Sequence, residues 1–152
     1  MNGKIRFRVG RRAGTILGGP FVKAKERWGF KKVFRVCLRE GQPPAAECHF
    51  PIVDFGVPKK EDLQILVDKI VTKLLRDKPV YVGCTAGIGR TGMIIACVWK
   101  TFHRCTGPQA VAGVRKNYLA AAVETPAQHK LIDDFEPLFR TKVKLFFARL
   151  GL

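Results

Sequence analysis

The stretch Pro79-Val80-Tyr81-Val82-Gly83-Cys84-Thr85-Ala86-Gly87-Ile88-Gly89-Arg90-Thr91-Gly92 constrains the rest of the chain more than any other. Its first residues have the apolar run of a short buried strand, and Met93-Ile94-Ile95-Ala96-Cys97-Val98-Trp99 reads as an apolar helix. A tight glycine-bearing loop joins the two. Glycines let successive backbone N–H groups turn toward one point, and the helix N-terminus adds partial positive charge there. Such a point suits a phosphate-sized dianion. Cys84 opens the loop and Arg90 closes it, so the thiol is expected to be acidified by the same field. The plainer reading is a structural cysteine before an ordinary strand-to-helix turn. It does not explain why Arg90, Thr91 and the glycines at 87, 89 and 92 stand together.

The spacing Cys84-x5-Arg90-Thr91-Gly92 in this setting resembles the signature loop of the cysteine-based protein tyrosine phosphatase superfamily. The resemblance implies that Cys84 is the nucleophile and that Thr85, Ala86, Gly87, Ile88, Gly89 and Arg90 bind phosphate. Arg90 would grip two phosphate oxygens as a planar fork, and Thr91 would help expel the thiolate when the phospho-enzyme breaks down. It also implies chemistry with no metal and no cofactor. The family usually has His just before the cysteine, a position held here by Gly83.

The chain ahead of this loop begins with Lys4-Ile5-Arg6-Phe7-Arg8-Val9, whose strict alternation predicts a strand with one basic and one apolar face. Residues 10–14 read as a turn, with Arg11 and Arg12 exposed on it, and Thr15-Ile16-Leu17 as a returning strand ending at Gly18-Gly19-Pro20. A short helix from Phe21 to Trp28, opened by Pro20, is expected next, with Trp28 and Phe30 as core anchors. Strands follow over residues 32–38 and 47–52, separated by a loop at Gly41-Gln42-Pro43-Pro44.

Breaking a phosphate ester leaves an oxyanion that needs a proton from a nearby acid. The resemblance places that acid on a mobile loop before a long helix, where this chain reads Asp54-Phe55-Gly56-Val57-Pro58. Asp54 is therefore the expected general acid, against the simpler reading of a local Asx-turn. Asp62 is the rival, although acids are expected in the first turn of a helix anyway. Leu63, Leu66, Val67, Ile70, Val71 and Leu74 mark one face of that helix, which ends before Pro79. His49 lacks a second ligand at useful spacing, so a core or loop-bracing role is expected and no metal site.

The signature helix is predicted from about Arg90 to Cys105, with Ile94, Ile95, Val98 and Phe102 inward. Thr106-Gly107-Pro108 then opens a helix carrying Ala110, Val111, Val114 and Tyr118 inward, with Arg115 and Lys116 as a solvated face. Val123-Glu124-Thr125-Pro126-Ala127-Gln128 resembles a family turn beside the nucleophile that helps place water, which makes Glu124 and Gln128 candidate auxiliaries. Its local physics is also legible: Thr125 as N-cap, Pro126 at N1 and Gln128 completing a capping box. The final helix is expected to run to residue 150, kinked at Pro137 and carrying Phe135, Leu138, Phe139, Val143, Phe146, Phe147 and Leu150. Its far end is aromatic on one side and basic on the other (Arg140, Lys142, Lys144, Arg149), with docking on the domain expected and membrane-surface or partner binding as the sharper alternative.

These elements imply an α/β fold: a single domain over residues 1–152 with a central, mostly parallel sheet flanked by helices on both faces. The likeness to small dual-specificity or atypical phosphatases runs from about residue 15 to 135, after a basic N-terminal hairpin at 4–17 and before the end of the C-terminal helix. Twenty-eight Lys and Arg against twelve Asp and Glu give a formal charge of +16, and residues 1–40 hold only Glu26 and Glu40 as acids. Such a field attracts phosphoproteins, RNA or an anionic membrane surface. No apolar run approaches the roughly twenty residues of a membrane span. The start of the chain lacks a secretory leader's apolar core, and five irregularly placed cysteines suit a reducing compartment, so a cytoplasmic address is expected.

The expected partner is a phosphorylated protein, with phosphotyrosine as the foremost substrate and phosphoserine or phosphothreonine admitted by a shallow site. The loop interior is close to that of tyrosine-specific enzymes and lacks the lysines of phosphoinositide-directed relatives. Two alternatives stand beside this. An RNA 5′-triphosphatase on the same fold would suit the charge, although that branch usually has His-Gly where this chain has Ala86-Gly87. A catalytically weak phosphate-binding module is the other, and Gly83 argues for it. The oligomeric state is open.

Overall fold

The computed structural model describes residues 3–24, 32–41 and 45–152. Trp28, Phe30, the latter part of the helix expected from Phe21, and Gln42-Pro43-Pro44 lie outside the described residues. Five strands form one sheet in the order β1-β2-β5-β3-β4. β1 (Lys4–Val9) and β2 (Arg12–Pro20) are an antiparallel hairpin, while β2–β5, β5–β3 and β3–β4 pair in parallel. The alternation in β1 behaves as expected, with Ile5, Phe7 and Val9 buried and Lys4, Arg6 and Arg8 exposed.

Several boundaries move. β2 is nine residues long and takes in Arg12 to Gly14 and Gly18 to Pro20, because partners on both sides pair its backbone despite the glycines. β3 (Phe34–Cys37) and β4 (Cys48–His49) are shorter than the runs at 32–38 and 47–52. After β2 the chain makes a single 3-10 turn at Phe21–Lys23. The sheet's centre is β5 (Val80–Cys84), buried throughout, as a parallel strand flanked on both sides must be.

The helices described in full are α1 (Lys60–Leu75), α2 (Gly89–His103), α3 (Gly107–Asn117), α4 (Pro126–Asp134) and α5 (Phe139–Arg149). One large apolar cluster joins Ile16, Val36, Val80 and Val82 of the sheet to side chains from all five helices. Leu17, Ala24, Val33 and Tyr81 form a second, smaller cluster. Successive strand residues face opposite sides, so Ile16 and Leu17, or Val80 and Tyr81, divide between the two.

The long final helix is in fact two. α4 ends at Asp134 with Phe135 extended, and α5 begins at Phe139. Pro137 disfavours helix at the residue before it, which converts the expected kink into a break. The buried Lys100 ammonium closes the broken end, donating to the carbonyls of Ile132, Asp133 and Phe135 at 3.0, 2.7 and 2.8 Å. α5 docks through Thr141, Leu145 and Ala148; Phe135, just ahead of it, is buried as expected, whereas Phe139, Phe146 and Phe147 face outward, opposite to expectation. Part of its basic side is used in docking. Asp68 on α1 accepts from Thr141 Oγ1 at 2.8 Å and Lys144 Nζ at 2.9 Å and pairs with Arg140 at 3.1 Å. Burial pushes the Asp68 carboxyl up, but the Lys144 and Thr141 hydrogen bonds and the charges of Lys144 and Arg140 outweigh it and hold its pKa low.

Candidate functional site

Cys84 ends the central strand in register with Pro20 of β2, and the loop Thr85–Ile88 carries the chain over its side chain into α2. The buried sulfur accepts hydrogen bonds from Gly87 N at 3.2 Å and Thr91 Oγ1 at 3.1 Å. Gly87 has a φ of +75°, a turn that a side chain would strain, and a Cβ there would lie 2.4 Å from the carbonyl carbon of Gly19. Thr85 and Ala86 are exposed, Ile88 is half-buried, and Gly87 and Gly89 are buried. The loop thus has a solvent face above and a backbone bed below.

Arg90 is buried at the start of α2. Its Nη1 donates to Ile52 O at 2.9 Å, and its Nη2 donates to Thr85 Oγ1 at 3.3 Å and pairs with Asp54 Oδ1 at 3.2 Å. Its Nε is the buried side-chain nitrogen or oxygen that lacks a partner among the described residues. A buried donor left unmatched costs on the order of 1–3 kcal/mol, so an acceptor is called for at that place. Asp54 is 57% exposed and also accepts from Phe55 N at 3.0 Å. The local turn and the approach to the loop, posed as rivals in the sequence, coexist. Asp62 lies in the first turn of α1 and lines, with Val53, Val57 and Pro58, a groove of about 540 Å³ beside the acid loop. His49 braces a loop by donating from Nε2 to Arg39 O at 2.8 Å.

The turn after α3 meets both loops. Gln128 is buried and its Oε1 accepts from the backbone N of Glu124 and Thr125 at 2.8 and 3.2 Å, while Thr125 Oγ1 accepts from Gln128 N at 3.2 Å. That is the capping box read from the sequence. The same two residues reach the acid loop, Thr125 Oγ1 donating to Phe55 O and Gln128 Nε2 to Gly56 O, each at 3.3 Å. On the other side, a Cβ on Gly89 would fall 2.4 Å from Glu124 Oε1 and 3.1 Å from Gln128 Oε1. The structure therefore brings Cys84, Thr85 to Arg90, Thr91, Asp54, Glu124 and Gln128 to one place. Among the described residues no group of three or more His, Cys, Asp or Glu stands as a metal site would need.

Three supports escaped the sequence reading. Arg115 is exposed, as expected, and also donates from Nε to Ala122 O at 2.9 Å and from Nη2 to Val123 O at 3.0 Å, bracing the turn before Glu124. Tyr118 Oη donates to Gly87 O, tying α3 to the phosphate loop. Gly19, Pro20 and Phe21 form the loop's bed, and they also explain Gly83: a Cβ there would lie 2.7 Å from Phe21 Cα and 2.9 Å from Phe21 N. The only signal in the sequence was the Gly18-Gly19-Pro20 triplet at the end of β2.

The family model described as "Tc-R-P: Polymorphic toxin system, DSP-PTPase phosphatase" matches residues 33–102. An uncharacterised protein of Methanocaldococcus jannaschii is 33% identical over 118 residues, which is 77% of this chain and 76% of that protein. A second protein of that organism is 36% identical over 87 residues, covering 57% of this chain and 53% of its own, so the chain spans about half the length of that relative. Mouse protein tyrosine phosphatase domain-containing protein 1 is 40% identical over 62 residues, 41% of this chain and 8% of that protein. The crystal structure of DUSP15 has the same fold, with a TM-score of 0.74 over 100% of this chain and 98% of that one at 18% identity.

Proposed function

The chain belongs to the cysteine-based protein tyrosine phosphatase superfamily, as a small dual-specificity or atypical member, and on that premise we propose that it hydrolyses phosphotyrosine monoesters of phosphoproteins, with phosphoserine and phosphothreonine esters as further substrates. The observation that carries this reading is one pairing. A sulfur that accepts two hydrogen bonds sits in the same loop as a buried guanidinium whose Nε has no acceptor among the described residues.

The reaction has two steps. The Cys84 thiolate attacks phosphorus while the amides of Thr85 to Gly89 and the Nε and Nη2 of Arg90 hold the equatorial oxygens. The incoming dianion takes Asp54's place on the guanidinium; the freed carboxylate takes up a proton from solvent, and the carboxylic acid so formed protonates the leaving oxygen as the P–O bond breaks. Water then attacks the cysteinyl-phosphate, with Asp54 as base and Thr91 Oγ1 donating to the departing sulfur. Glu124 and Gln128, both beside Gly89, are suited to positioning that water. The close backbone packing on Gly83 gives this glycine a structural reason, which supports turnover over a cradle that only binds. Five free cysteines and a thiol nucleophile suit a reducing, cytoplasmic setting.

The test is phosphate release from p-nitrophenyl phosphate, a phosphotyrosyl peptide and triphosphate-ended RNA, with EDTA present. Wild type should turn over the first two, Cys84→Ser should be inactive, and Asp54→Asn should lose on the order of 100-fold in kcat. Activity confined to RNA ends would move the chain to the triphosphatase reading. Phosphopeptide binding without turnover would make it a binding module.

A further inference from the structure

Helix α5 carries its apolar face outward. Thr141, Leu145 and Ala148 are buried against the domain, while Phe139, Phe146, Phe147 and Leu150 are 81%, 52%, 46% and 58% exposed. At helical spacing Phe139, Val143, Phe146 and Leu150 fall in one row opposite the docked side, with Phe147 beside them and its ring 5.7 Å from that of Phe146. A surface helix normally shows the reverse, and an exposed apolar row on so charged a chain marks a contact surface.

Both margins of the row are basic. Arg140 and Lys144 run along one, and Arg12 and Arg76 share a hollow with Lys144 and Phe147. Lys142 and Arg149 run along the other, sharing a hollow with Arg104. Two acids answer them: Asp68, held between Arg140 and Lys144, and Glu136, 3.6 Å from Lys142. The cations outnumber these acids on each side. The chain as a whole carries +16.

An apolar row between two basic margins has the layout of the boundary of an anionic bilayer. Apolar side chains enter below the headgroups, and long basic side chains reach the phosphates while their stems cover apolar surface. A protein partner's apolar patch would not require cations on both sides, and RNA has no use for aliphatic Val143 and Leu150. We infer that α5 is a peripheral docking face for an anionic lipid surface, with Phe139, Phe146 and Leu150 inserted and the exposed Arg140 and Lys142 at the phosphates, while Lys144 and Arg149 bond inward to Asp68, Thr72 and Phe102 O and add only their charge. None of these residues touches the loop around Cys84, so this inference stands or falls apart from the catalytic one.

The test is co-sedimentation with vesicles of phosphatidylcholine containing about 30% phosphatidylserine, and with pure phosphatidylcholine, at low and raised salt. Wild type should partition to the anionic vesicles and release with salt. Phe146→Ser/Leu150→Ser should weaken binding at least about tenfold, and Lys142→Glu on the order of tenfold. Both variants should keep the wild-type unfolding temperature and activity on a soluble aryl phosphate. No partition to anionic vesicles, equal partition to both compositions, or unchanged binding by the double variant would overturn the inference. A dimer that Phe146→Ser/Leu150→Ser dissociates, or an RNA complex that it abolishes, would assign the face to that partner and overturn it as well.

Discussion

Replacing Gly83 by histidine, the residue the family usually places before its cysteine, is expected to damage this chain. Gly83 lies between Gly19 of β2 and Cys37 of β3 in the sheet. A Cβ there would meet Phe21 Cα at 2.7 Å, Phe21 N at 2.9 Å and Gly19 O at 3.0 Å. All three are backbone atoms, so no change of rotamer relieves the clash. The segment cannot retreat freely either, because the Gly87 Cβ position lies 2.4 Å from Gly19 C and 2.6 Å from Gly19 Cα. Overpacking of this kind costs about 1–3 kcal/mol for a methyl group. At roughly 2–4 °C per kcal/mol for a domain of this length, Gly83→Ala should lower Tm by about 2–12 °C, and Gly83→His by more. Activity should fall too, since Cys84 follows directly and the Gly87 N–H that meets its sulfur rests on the displaced segment. A misplacement near 1 Å is worth on the order of 100-fold in rate, so kcat/KM should drop about tenfold for alanine and about 100-fold for histidine. Scanning fluorimetry with steady-state kinetics on an aryl phosphate reads both. A Gly83→His protein with wild-type Tm and equal or higher kcat/KM would refute the packing argument.

Arg115→Lys keeps the charge but loses the planar fork over Ala122 O and Val123 O. It should cost about 2 kcal/mol and lower kcat with KM nearly unchanged; a loss of stability alone would reduce Arg115 to a structural brace. Asp68 has its folded pKa below the 3.8 of a free carboxyl, so its contribution is complete above that value and disappears as pH falls through the lower one. Asp68→Asn should therefore lower the urea midpoint at neutral pH and flatten its acid decline; parallel curves for the two proteins would contradict this. Burial pushes Cys97 up to about 12 and also raises Cys37, Cys48 and Cys105. Iodoacetate at mildly acidic pH should label Cys84 first, with protection by inorganic phosphate, and peptide mapping that finds Cys48 or Cys105 first would count against the site.

The parts of the site that were legible in the sequence are those whose physics is local. The phosphate loop announces itself through adjacent residues, and so does the Thr125–Gln128 capping box, whose donors and acceptors lie within four positions. The elements that moved depend on partners far along the chain. Residues 18–20 are strand because β5, far along the chain, pairs them, although glycine-rich segments look like turns in isolation. The outward face of α5 could not be read from periodicity, which gives two faces and not which one docks. Asp68, 73 residues from Thr141, decides that question by drawing in Thr141, Lys144 and Arg140. The bonds of the exposed Arg115 are illegible for a similar reason, since a carbonyl acceptor leaves no trace in side-chain identity.

The two halves of the site are held with unequal firmness, and the difference follows from their contacts. The phosphate loop is clamped by backbone packing at Gly83 and Gly87 and by Tyr118 on Gly87 O, so its position is set by rigid neighbours. The acid loop rests on two bonds of 3.3 Å from Thr125 and Gln128 and on one pair between the exposed Asp54 and the buried Arg90. Phe55 in this loop and Val123 in the turn facing it both have positive φ, 61° and 66°, a conformation that disfavours non-glycine residues by about 1–2 kcal/mol. Arg115 offsets that strain at Val123 with two hydrogen bonds, whereas among the described residues Phe55 has only the Thr125 contact to its carbonyl and the Asp54 side chain on its N–H. The acid loop is therefore the part of the site that can leave and return at small cost. Under the proposed two-step reaction, a fixed cradle with a loosely docked acid would let Asp54 serve the leaving group in one step and water in the next without disturbing the thiol.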